Sequence, residues 1–254
     1  MNIAEQVKQT ANVLRKSNYA IAFTGAGISV ESGVPPFRGS ENAVWSKYDP
    51  ECLDIDYFYS HPAQSWAAIK EIFYNFMFKT EIKPNIAHLV LAKMEQCGII
   101  KSVITQNIDY LHQEAGSHNV IEFHGTAGRV ICTSDKCQYS IRPQEMNLTK
   151  LPPYCPKCGA LLKPDFVFFG EGIPSVAYQT SFDDAQKADV VIVVGTTAEV
   201  MPAGMIPIKA KQMGATIIEI NPSASALTNR FTDIYIQAKA SEAFALLADE
   251  LELK

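Results

Sequence analysis

Four cysteines in the middle of the chain have the spacing of a metal site. Cys132 and Cys137 are followed, after seventeen intervening residues, by Cys155 and Cys158. Two close pairs at this separation predict a zinc ribbon, in which four thiolates surround the ion tetrahedrally. Such a site leaves no open position for water or substrate, so one zinc ion per chain would be structural. Two disulfide bonds are the alternative, which a cytoplasmic location would disfavour.

A second candidate site follows the first apolar segment. Tyr19 to Thr24 predicts a buried strand of a parallel sheet, and Gly25, Ala26 and Gly27 come directly after it. Glycine lets the backbone approach an anion closely, and N–H groups at a helix start point toward it. The segment therefore predicts a phosphate-binding turn, although a tight turn without a ligand has the same pattern.

The sequence after this turn departs from the usual dinucleotide fingerprint. Val30 stands where a third glycine is expected, and no carboxylate follows a second strand about 20 residues on. These two differences disfavour a hydride-transferring dehydrogenase. Prolines and glycines between Gly33 and Gly39 exclude a regular helix, so this segment predicts a flap that carries Phe37 and Arg38.

Two further strands end in side chains that could bind or transfer protons. The strand predicted at Ile99–Thr105 is followed by four residues at the edge where open α/β sheets bind ligands, namely Gln106, Asn107, Ile108 and Asp109. The alternative is a helix cap for the next turn. The strand predicted at Asn119–Phe123 ends at His124. A histidine suits general-base catalysis near neutral pH, although this one could also be a turn residue.

The remaining elements must position these residues. Apolar segments predict further strands at residues 163–171, 189–197, 215–221 and 234–238, and Asn221 could hydrogen-bond a ribose or an adenine edge. Strands that alternate with helices predict a doubly wound parallel sheet with a nucleotide across its edge. An aromatic-rich helical stretch from His61 to Lys79 predicts core packing, or the wall of an acyl pocket.

Composition limits the class of protein. The 254 residues carry a net charge of −5, and 47% of them are hydrophobic. This charge disfavours broad nucleic-acid binding. Because no segment resembles a signal peptide or a membrane span, we expect a cytoplasmic protein with no membrane or direct nucleic-acid partner. A monomer is expected.

The motifs together resemble those of the sirtuins, which are NAD-dependent protein-lysine deacylases. The resemblance covers roughly residues 14–246 and lies in the following segments, which occur in sirtuin order: Gly25–Ser29, Ser32–Gly39, Thr105–Asp109, His124-Gly125, the four cysteines, Phe168–Glu171 and Gly195–Thr197. Two positions depart from the family pattern. Pro36 replaces a frequent aspartate in the flap, and Thr197 replaces a serine but keeps its hydroxyl.

This resemblance implies two domains. A Rossmann-like NAD-binding domain would comprise residues 1–39, 85–125 and 163–254. A smaller domain would combine a helical insert of residues 40–84 with the zinc ribbon of residues 126–162. NAD and an acyl-lysine protein or peptide would meet in the cleft between the two domains.

The resemblance also assigns site residues. His124 and Asn107 would be catalytic. The cofactor-binding residues would be Gly25, Ala26, Gly27, Phe37, Arg38, Gln106, Asn107, Ile108, Asp109, Gly195, Thr196, Thr197, Asn221 and Ala240. The peptide would bind as an added strand along Val167, Phe169, Gly170 and Glu171.

The activity that the resemblance implies is the NAD-dependent removal of acetyl or longer neutral acyl groups from lysine, giving nicotinamide and O-acyl-ADP-ribose. Members that prefer succinyl or malonyl groups carry a tyrosine and an arginine three and six residues after a tryptophan. Counted from Trp66, these positions are Ile69 and Ile72, so acidic acyl groups would lack a partner. Mono-ADP-ribosyl transfer and non-catalytic NAD sensing are the alternatives.

Overall fold

The computed structural model describes residues 2–36, 43–75 and 82–253. Its strands are β1 (Ala20–Thr24), β2 (Ile100–Thr105), β3 (Val120–Glu122), β4 (Gly125–Cys132), β5 (Ser140–Ile141), β6 (Leu162–Phe166), β7 (Val190–Val194), β8 (Thr216–Ile220) and β9 (Ile234–Ile236). The α-helices in these ranges are α1 (Ile3–Lys16), α2 (Val44–Lys47), α3 (Ile55–Ser60), α4 (Pro62–Ile69), α5 (Ile86–Gln96), α6 (Leu111–Glu114), α7 (Ser175–Lys187), α8 (Met205–Gln212) and α9 (Ala240–Glu250). Short 3₁₀ helices span Ala26–Ser32, Pro50–Leu53 and Pro143–Glu145, and a π-helical turn spans Lys70–Asn75.

Six strands form a parallel sheet in the order β3-β2-β1-β7-β8-β9. Numbered within the sheet, this order is 3-2-1-4-5-6, the doubly wound arrangement of dinucleotide-binding folds. Every residue of β1 and β7 is buried, because helices cover both faces of the sheet. The strand order reverses between β1 and β7, so the loops after these two strands meet at the edge where such sheets bind ligands.

Two apolar cores lie on opposite faces of this sheet. One packs α1, α5 and α9 against the strands through residues such as Leu14, Leu91 and Phe244. The other packs α7 and α8 through Ala185 and Ile206. We call this part of the molecule, the six strands with their helices, the sheet region. It confirms the doubly wound parallel sheet that the sequence predicts.

A third core belongs to what we call the small unit, residues 43–75 and 125–171. Its three strands pair antiparallel in the order β5-β4-β6, and its apolar residues come from both the short helices and the strands. Trp66 of α4 is fully buried and donates its indole N–H to the carbonyl oxygen of Leu162 at 2.8 Å. The helical insert and the ribbon therefore share one core.

Most predicted elements are confirmed within a residue or two, but the strand predicted at residues 163–171 is shorter and lies in the second sheet. β6 contains Lys163, Pro164 and Asp165, and it is an edge strand of the antiparallel sheet. A proline cannot donate to a central ladder, which explains why this segment is at an edge. The predicted boundary at residue 163 falls within β6, and the division into domains stays a prediction. Across the described ranges, no helix is both long enough and apolar enough to cross a bilayer.

Candidate active site and metal centre

The two glycine-containing loops at the switch point interlock. The N–H of Gly27 donates to the carbonyl of Gly195 at 2.8 Å, and the N–H of Gly25 donates to that of Val194 at 3.0 Å. A Cβ on Gly27 would lie 2.6 Å from the Gly195 Cα, which a real side chain does not tolerate. Gly195 itself has a positive φ of 61°. The glycines thus let the loop after β1 pack directly on the loop after β7.

Asn107 lies at the carboxyl end of β2 and is only 6% exposed. Its side-chain amide donates to the carbonyl of Gly25 at 3.2 Å and to the Ser29 hydroxyl at 3.1 Å. Its backbone N–H donates to the hydroxyl of Thr105 at 3.1 Å. The amide nitrogen is therefore committed to the fold, and the side-chain oxygen takes no hydrogen bond from the described residues.

Ser29 connects Asn107 to a buried carboxylate and a buried imidazole. Its hydroxyl donates to Asp109 at 2.6 Å and lies 3.4 Å from Nε2 of His88. Nδ1 of His88 accepts the N–H of Asn85 at 3.3 Å, so Nε2 carries the proton and donates to Ser29. One donated and two accepted hydrogen bonds satisfy the serine hydroxyl. Asp109 also accepts the N–H of Leu111 at 3.1 Å, but the N-cap position of α6 is Tyr110 and carries no side-chain cap, so Asp109 is not the helix cap.

A second imidazole extends this network. The ring of His112 lies 4.9 Å from that of His88, and its Nε2 lies 2.9 Å from the Thr24 hydroxyl, which donates to that of Thr105. Burial lowers the pKa of His88 to about 4, and burial together with His88 lowers the pKa of His112 well below 6.5. Both rings are therefore neutral at pH 7. Burial raises the pKa of Asp109, against the opposing hydrogen bond from Ser29.

His124 lies between the two parts of the molecule. Its Nδ1 is 3.1 Å from the carbonyl oxygen of Gln106, so Nδ1 carries the proton and Nε2 is left as the basic nitrogen. Burial lowers the pKa of His124, and the hydrogen bond to Gln106 opposes that shift. The neutral base is consequently the main form at pH 7. The Gln106 side chain donates to the Thr196 hydroxyl at 3.0 Å, which connects the end of β2 to the loop after β7.

A cavity of about 990 Å³ opens next to Asn107 and Asp109, and His124 is not among the residues that line it. Its wall includes Ala26, Asn107, Ile108 and Asp109 on one side. The small unit supplies apolar side chains, namely Val44, Ile72 and Phe73. The cavity thus joins four of the predicted cofactor-binding residues to part of the aromatic-rich helical stretch.

Further predicted cofactor-binding residues lie in the loop after β7, just after β8 and at the start of α9. Asn221 donates its side-chain amide to the carbonyl of Thr196 at 3.1 Å. Thr197 is exposed, and Ala240 begins α9, where the N–H of Ser241 donates to Glu31 at 3.0 Å. Asn221 therefore holds a protein loop with its nitrogen, and its side-chain oxygen accepts no hydrogen bond from the residues that the structure describes.

The predicted peptide-binding residues continue directly from β6. The N–H of Val167 donates to the carbonyl of His124 at 2.9 Å. Phe169 exchanges two backbone hydrogen bonds with the small unit's insert, one to Leu53 at 2.9 Å and one from Ile55 at 3.0 Å. Gly170 has a positive φ of 79° and makes the turn to Glu171. We call residues 166–171 the peptide-binding segment after the role that the sequence predicts for residues 167 and 169–171, which stays a prediction.

The four cysteines converge as the sequence predicts. Their sulfur atoms all lie within 4.8 Å of one another, with 3.4 Å between Cys132 and Cys158 and 3.7 Å between Cys137 and Cys155. Disulfide sulfurs would be about 2.05 Å apart, so the disulfide alternative is wrong. Zn–S bonds of about 2.3 Å place tetrahedral sulfurs about 3.8 Å apart, which fits these distances. The site therefore suits one structural zinc ion.

The predicted flap residues Phe37 and Arg38 lie outside the described residues.

The sequence did not predict a role for Ser29, His88 or His112, although Ser29 stands two residues after Gly27. His88 lies within an apolar helix and His112 in a single four-residue helical turn, so neither gives a periodic signal of its own in the sequence. Lys163 and Glu219 are two further buried charged residues that the sequence did not indicate.

Comparison with known proteins matches residues 25–202 to the Sir2 family. An NAD-dependent protein deacylase of Pyrococcus furiosus is 47% identical over 251 residues, which cover 96% of this chain and 97% of that protein. A Sir2 structure with a deacetylated p53 peptide and 3′-O-acetyl ADP-ribose has a TM-score of 0.91 and 32% identity, with all of both chains covered. A complex of a Sir2 homologue with NAD has a TM-score of 0.86 and 38% identity, covering 96% of this chain and 94% of the other.

Proposed function

The chain belongs to the Sir2 family, and from this we propose that it is an NAD-dependent deacylase of lysine side chains in proteins. The observation that carries the proposal is the arrangement of His124, whose Nδ1 is fixed on Gln106 while Nε2 remains available as a base. The names of the matched relatives, a protein deacylase and Sir2 structures with NAD or with a peptide, support the same reaction.

The residues around the cavity suit NAD. The backbone around Ala26 would contact the pyrophosphate, and Asn107, Ile108 and Asp109 would form the nicotinamide pocket. Gly195, Thr196, Thr197, Asn221 and Ala240 would surround the adenosine half. The unused side-chain oxygens of Asn107 and Asn221 support these roles, since each is left with acceptor capacity. Bound NAD would supply an activated ribose carbon that the acyl oxygen attacks as nicotinamide leaves.

The protein's own residues would orient the two substrates and remove a proton from the ribose. The interlocked loops hold Asn107 in one place, and bound NAD and peptide would keep bulk water away from the reacting atoms until the lysine amine has left. His124 would then take a proton at Nε2 from a ribose hydroxyl, which lets that hydroxyl attack the acyl carbon. Neither a cysteine nor a serine nucleophile is needed. One water molecule is consumed once the lysine amine has left, and the products would be nicotinamide, free lysine and O-acyl-ADP-ribose.

We expect neutral acyl groups. Ile72 and Phe73 border the cavity and Ile69 is fully buried, so the helical insert offers apolar contacts there. Arg129 also borders the cavity but forms an ion pair with Asp165. Arg142 also borders the cavity but is exposed, so an acyl carboxylate would have to displace the partner of Arg129, pair with an exposed arginine or stay unpaired, which is costly if it is buried. Acetyl-lysine and longer neutral acyl-lysine are the proposed substrates. We further propose that the protein is a cytoplasmic monomer that binds neither nucleic acid nor membranes.

The test is to incubate the purified protein with NAD and one peptide sequence carrying acetyl-, myristoyl- or succinyl-lysine. Nicotinamide release and peptide mass are followed together. His124→Ala is compared with His118→Ala, because His118 is an exposed histidine outside the site. We expect coupled loss of acetyl and of nicotinamide, abolished in the His124 variant and retained in the His118 variant.

Other outcomes separate the alternatives. Nicotinamide release with a gain of ADP-ribose on peptide or protein would make the chain a mono-ADP-ribosyltransferase. NAD binding without turnover would make it a sensor. Turnover of the succinyl peptide at the acetyl rate would contradict the neutral pocket and would direct attention to Arg129 and Arg142 at the cavity wall.

A further inference from the structure

Lys163 places an ammonium group in the interior of the small unit. The residue is 5% exposed, although lysine is rarely buried without a partner. Its Nζ donates to the carbonyls of Phe166 at 2.8 Å and Pro164 at 3.2 Å, and it forms an ion pair with Glu171 at 2.9 Å. An ammonium has three N–H groups, so these three acceptors satisfy it completely.

The carboxylate of Glu171 connects Lys163 to the backbone of Phe168. Oε2 of Glu171 accepts both the Lys163 ammonium and the backbone N–H of Phe168 at 2.9 Å. The N–H of Glu171 returns to the carbonyl of Phe168 at 3.0 Å. The ammonium also lies 4.4 Å from the centre of the Phe168 ring, in the position of a cation–π contact. Lys163 therefore contacts the beginning, the middle and the end of the peptide-binding segment.

The remaining contacts hold this segment from other sides. Val167 is tied to His124 by its N–H, and Phe169 is tied to the helical insert by both of its backbone groups. No hydrogen bond among the described residues uses the carbonyl of Val167 or the N–H of Gly170. These free groups are the ones that an added strand needs, and their direction depends on the turn that Lys163 and Glu171 hold.

We propose that Lys163 is a positioning residue for the acyl-lysine peptide, which it serves by holding residues 166–171 in a binding-competent shape. The inference rests on the proposed deacylase function and extends it to a residue that does not itself contact substrate. Burial lowers the pKa of Lys163 and Glu171 opposes the shift, in keeping with a pair formed away from bulk water. A purely structural role would lower the stability of the small unit without a selective effect on the peptide.

Steady-state kinetics with the acetyl-lysine peptide separate these two roles. Lys163→Met removes the charge and all three donors, and Lys163→Arg restores a cation. Glu171→Gln keeps an acceptor but removes the negative charge. Lys211→Met is the matched control, because Lys211 forms a surface ion pair with Asp233 in the sheet region. Each variant is checked for zinc content and for an unfolding transition well above the assay temperature. Peptide affinity is also measured directly by fluorescence anisotropy in the presence of ADP-ribose.

We expect Lys163→Met to raise KM and Kd for the peptide by about tenfold or more, the factor that 1.4 kcal/mol of binding free energy gives. KM for NAD should change by less than about twofold. Lys163→Arg should recover much of the peptide affinity, Glu171→Gln should lie between wild type and Lys163→Met, and Lys211→Met should match wild type.

Two results would overturn the inference. One is a folded, zinc-loaded Lys163→Met protein with wild-type affinity for the peptide. The other is an equal loss of affinity for peptide and for NAD, which would indicate general damage. Failure of the deacylase proposal would be seen separately, since the wild-type protein would then show no coupled release of nicotinamide and acyl group.

Discussion

The sheet region and the small unit hold their shapes by different means. In the sheet region, buried parallel strands are covered on both faces by two apolar cores. The small unit has three short antiparallel strands, short helices and one core, beside a cluster of four thiols. Asn107 and Gln106 directly follow β2 and are held by hydrogen bonds to the loops after β1 and β7, whereas the peptide-binding segment is held by a buried ion pair and aromatic packing.

This difference predicts the largest effect for removal of zinc. Structural zinc sites contribute about 10–16 kcal/mol in isolated finger peptides, so the small unit should unfold when a chelator strips the metal. The sheet region should stay folded. Hydrogen exchange measured by mass spectrometry should show fast exchange in residues 125–168 and slow exchange in β1, β2 and β7. Deacylation should be lost, because the peptide-binding segment goes with the small unit.

A zinc-saturated sample of the same chelator is the control for nonspecific effects. Cys155→Ser should reproduce the loss, and Cys97→Ser should not, because Cys97 is exposed and outside the cluster. Uniform fast exchange across both regions after metal removal would contradict the independence of the sheet region.

The next largest effect is expected at the junction of the two regions. Gly125 follows His124, has a positive φ of 71°, and a Cβ there would overlap the carbonyl oxygen of Asp165. Gly125→Ala should therefore lower the free energy of unfolding by about 1–2 kcal/mol through backbone strain and by about 1–3 kcal/mol more through overpacking. It should also displace His124 and lower kcat. Urea unfolding and steady-state kinetics measure both effects.

Gly98→Ala is the matched control for this substitution. Gly98 has a similar φ of 73°, but its Cβ would meet no atom of the described residues within 4 Å. The Gly98→Ala variant should lose only the stability that backbone strain costs, and its kcat should equal that of wild type. Equal losses of stability in the two variants would show that the contact with Asp165 relaxes without cost.

The two regions also differ in how far the sequence predicts them. Apolar runs such as Tyr19–Thr24 predict the strands of the sheet correctly, because burial on both faces requires continuous hydrophobic residues. The cysteine spacing likewise predicts the metal cluster. The placement of β6 in the second sheet was not predictable, since Lys163 and Asp165 suggest exposure and only the folded structure shows that Lys163 is buried.

The same limit applies within the candidate site. Residues 106–109 and His124 were recognisable because they stand at strand ends, where ligands bind. Ser29, His88 and His112 come from three separate elements, and their roles depend on distances that no local pattern encodes. The predicted roles of Phe37 and Arg38 stay predictions.

A third prediction concerns the buried imidazoles of the sheet region. The folded-state pKa of His88 is lowered to about 4, so the unfolded chain binds more protons between pH 6.5 and 4. Stability is therefore full above pH 6.5 and falls as the pH drops, by up to about 1.4 kcal/mol per pH unit for this one histidine. The total over this window is about 3 kcal/mol.

Comparing wild type with His88→Gln measures this contribution together with the part of the His112 shift that His88 causes, because both proteins keep the same thiol cluster and lose zinc alike in acid. Urea unfolding at half-unit pH intervals should show a flatter pH dependence for the variant between pH 6.5 and 4. Parallel curves for the two proteins would mean that His88 takes up its proton without unfolding.

The smallest effect tests whether the insert and the ribbon act as one unit. Trp66→Phe keeps an aromatic ring but removes the N–H that donates to Leu162, which leaves a buried carbonyl unpaired at a cost of about 1–3 kcal/mol. Leu162 is the ladder partner of Cys132, so part of this cost should reach the metal site. We expect about tenfold weaker zinc retention against a competing chelator, which corresponds to about 1.4 kcal/mol. A variant that loses stability but keeps wild-type zinc affinity would show that the insert and the ribbon are independent, and the small unit would then divide into two.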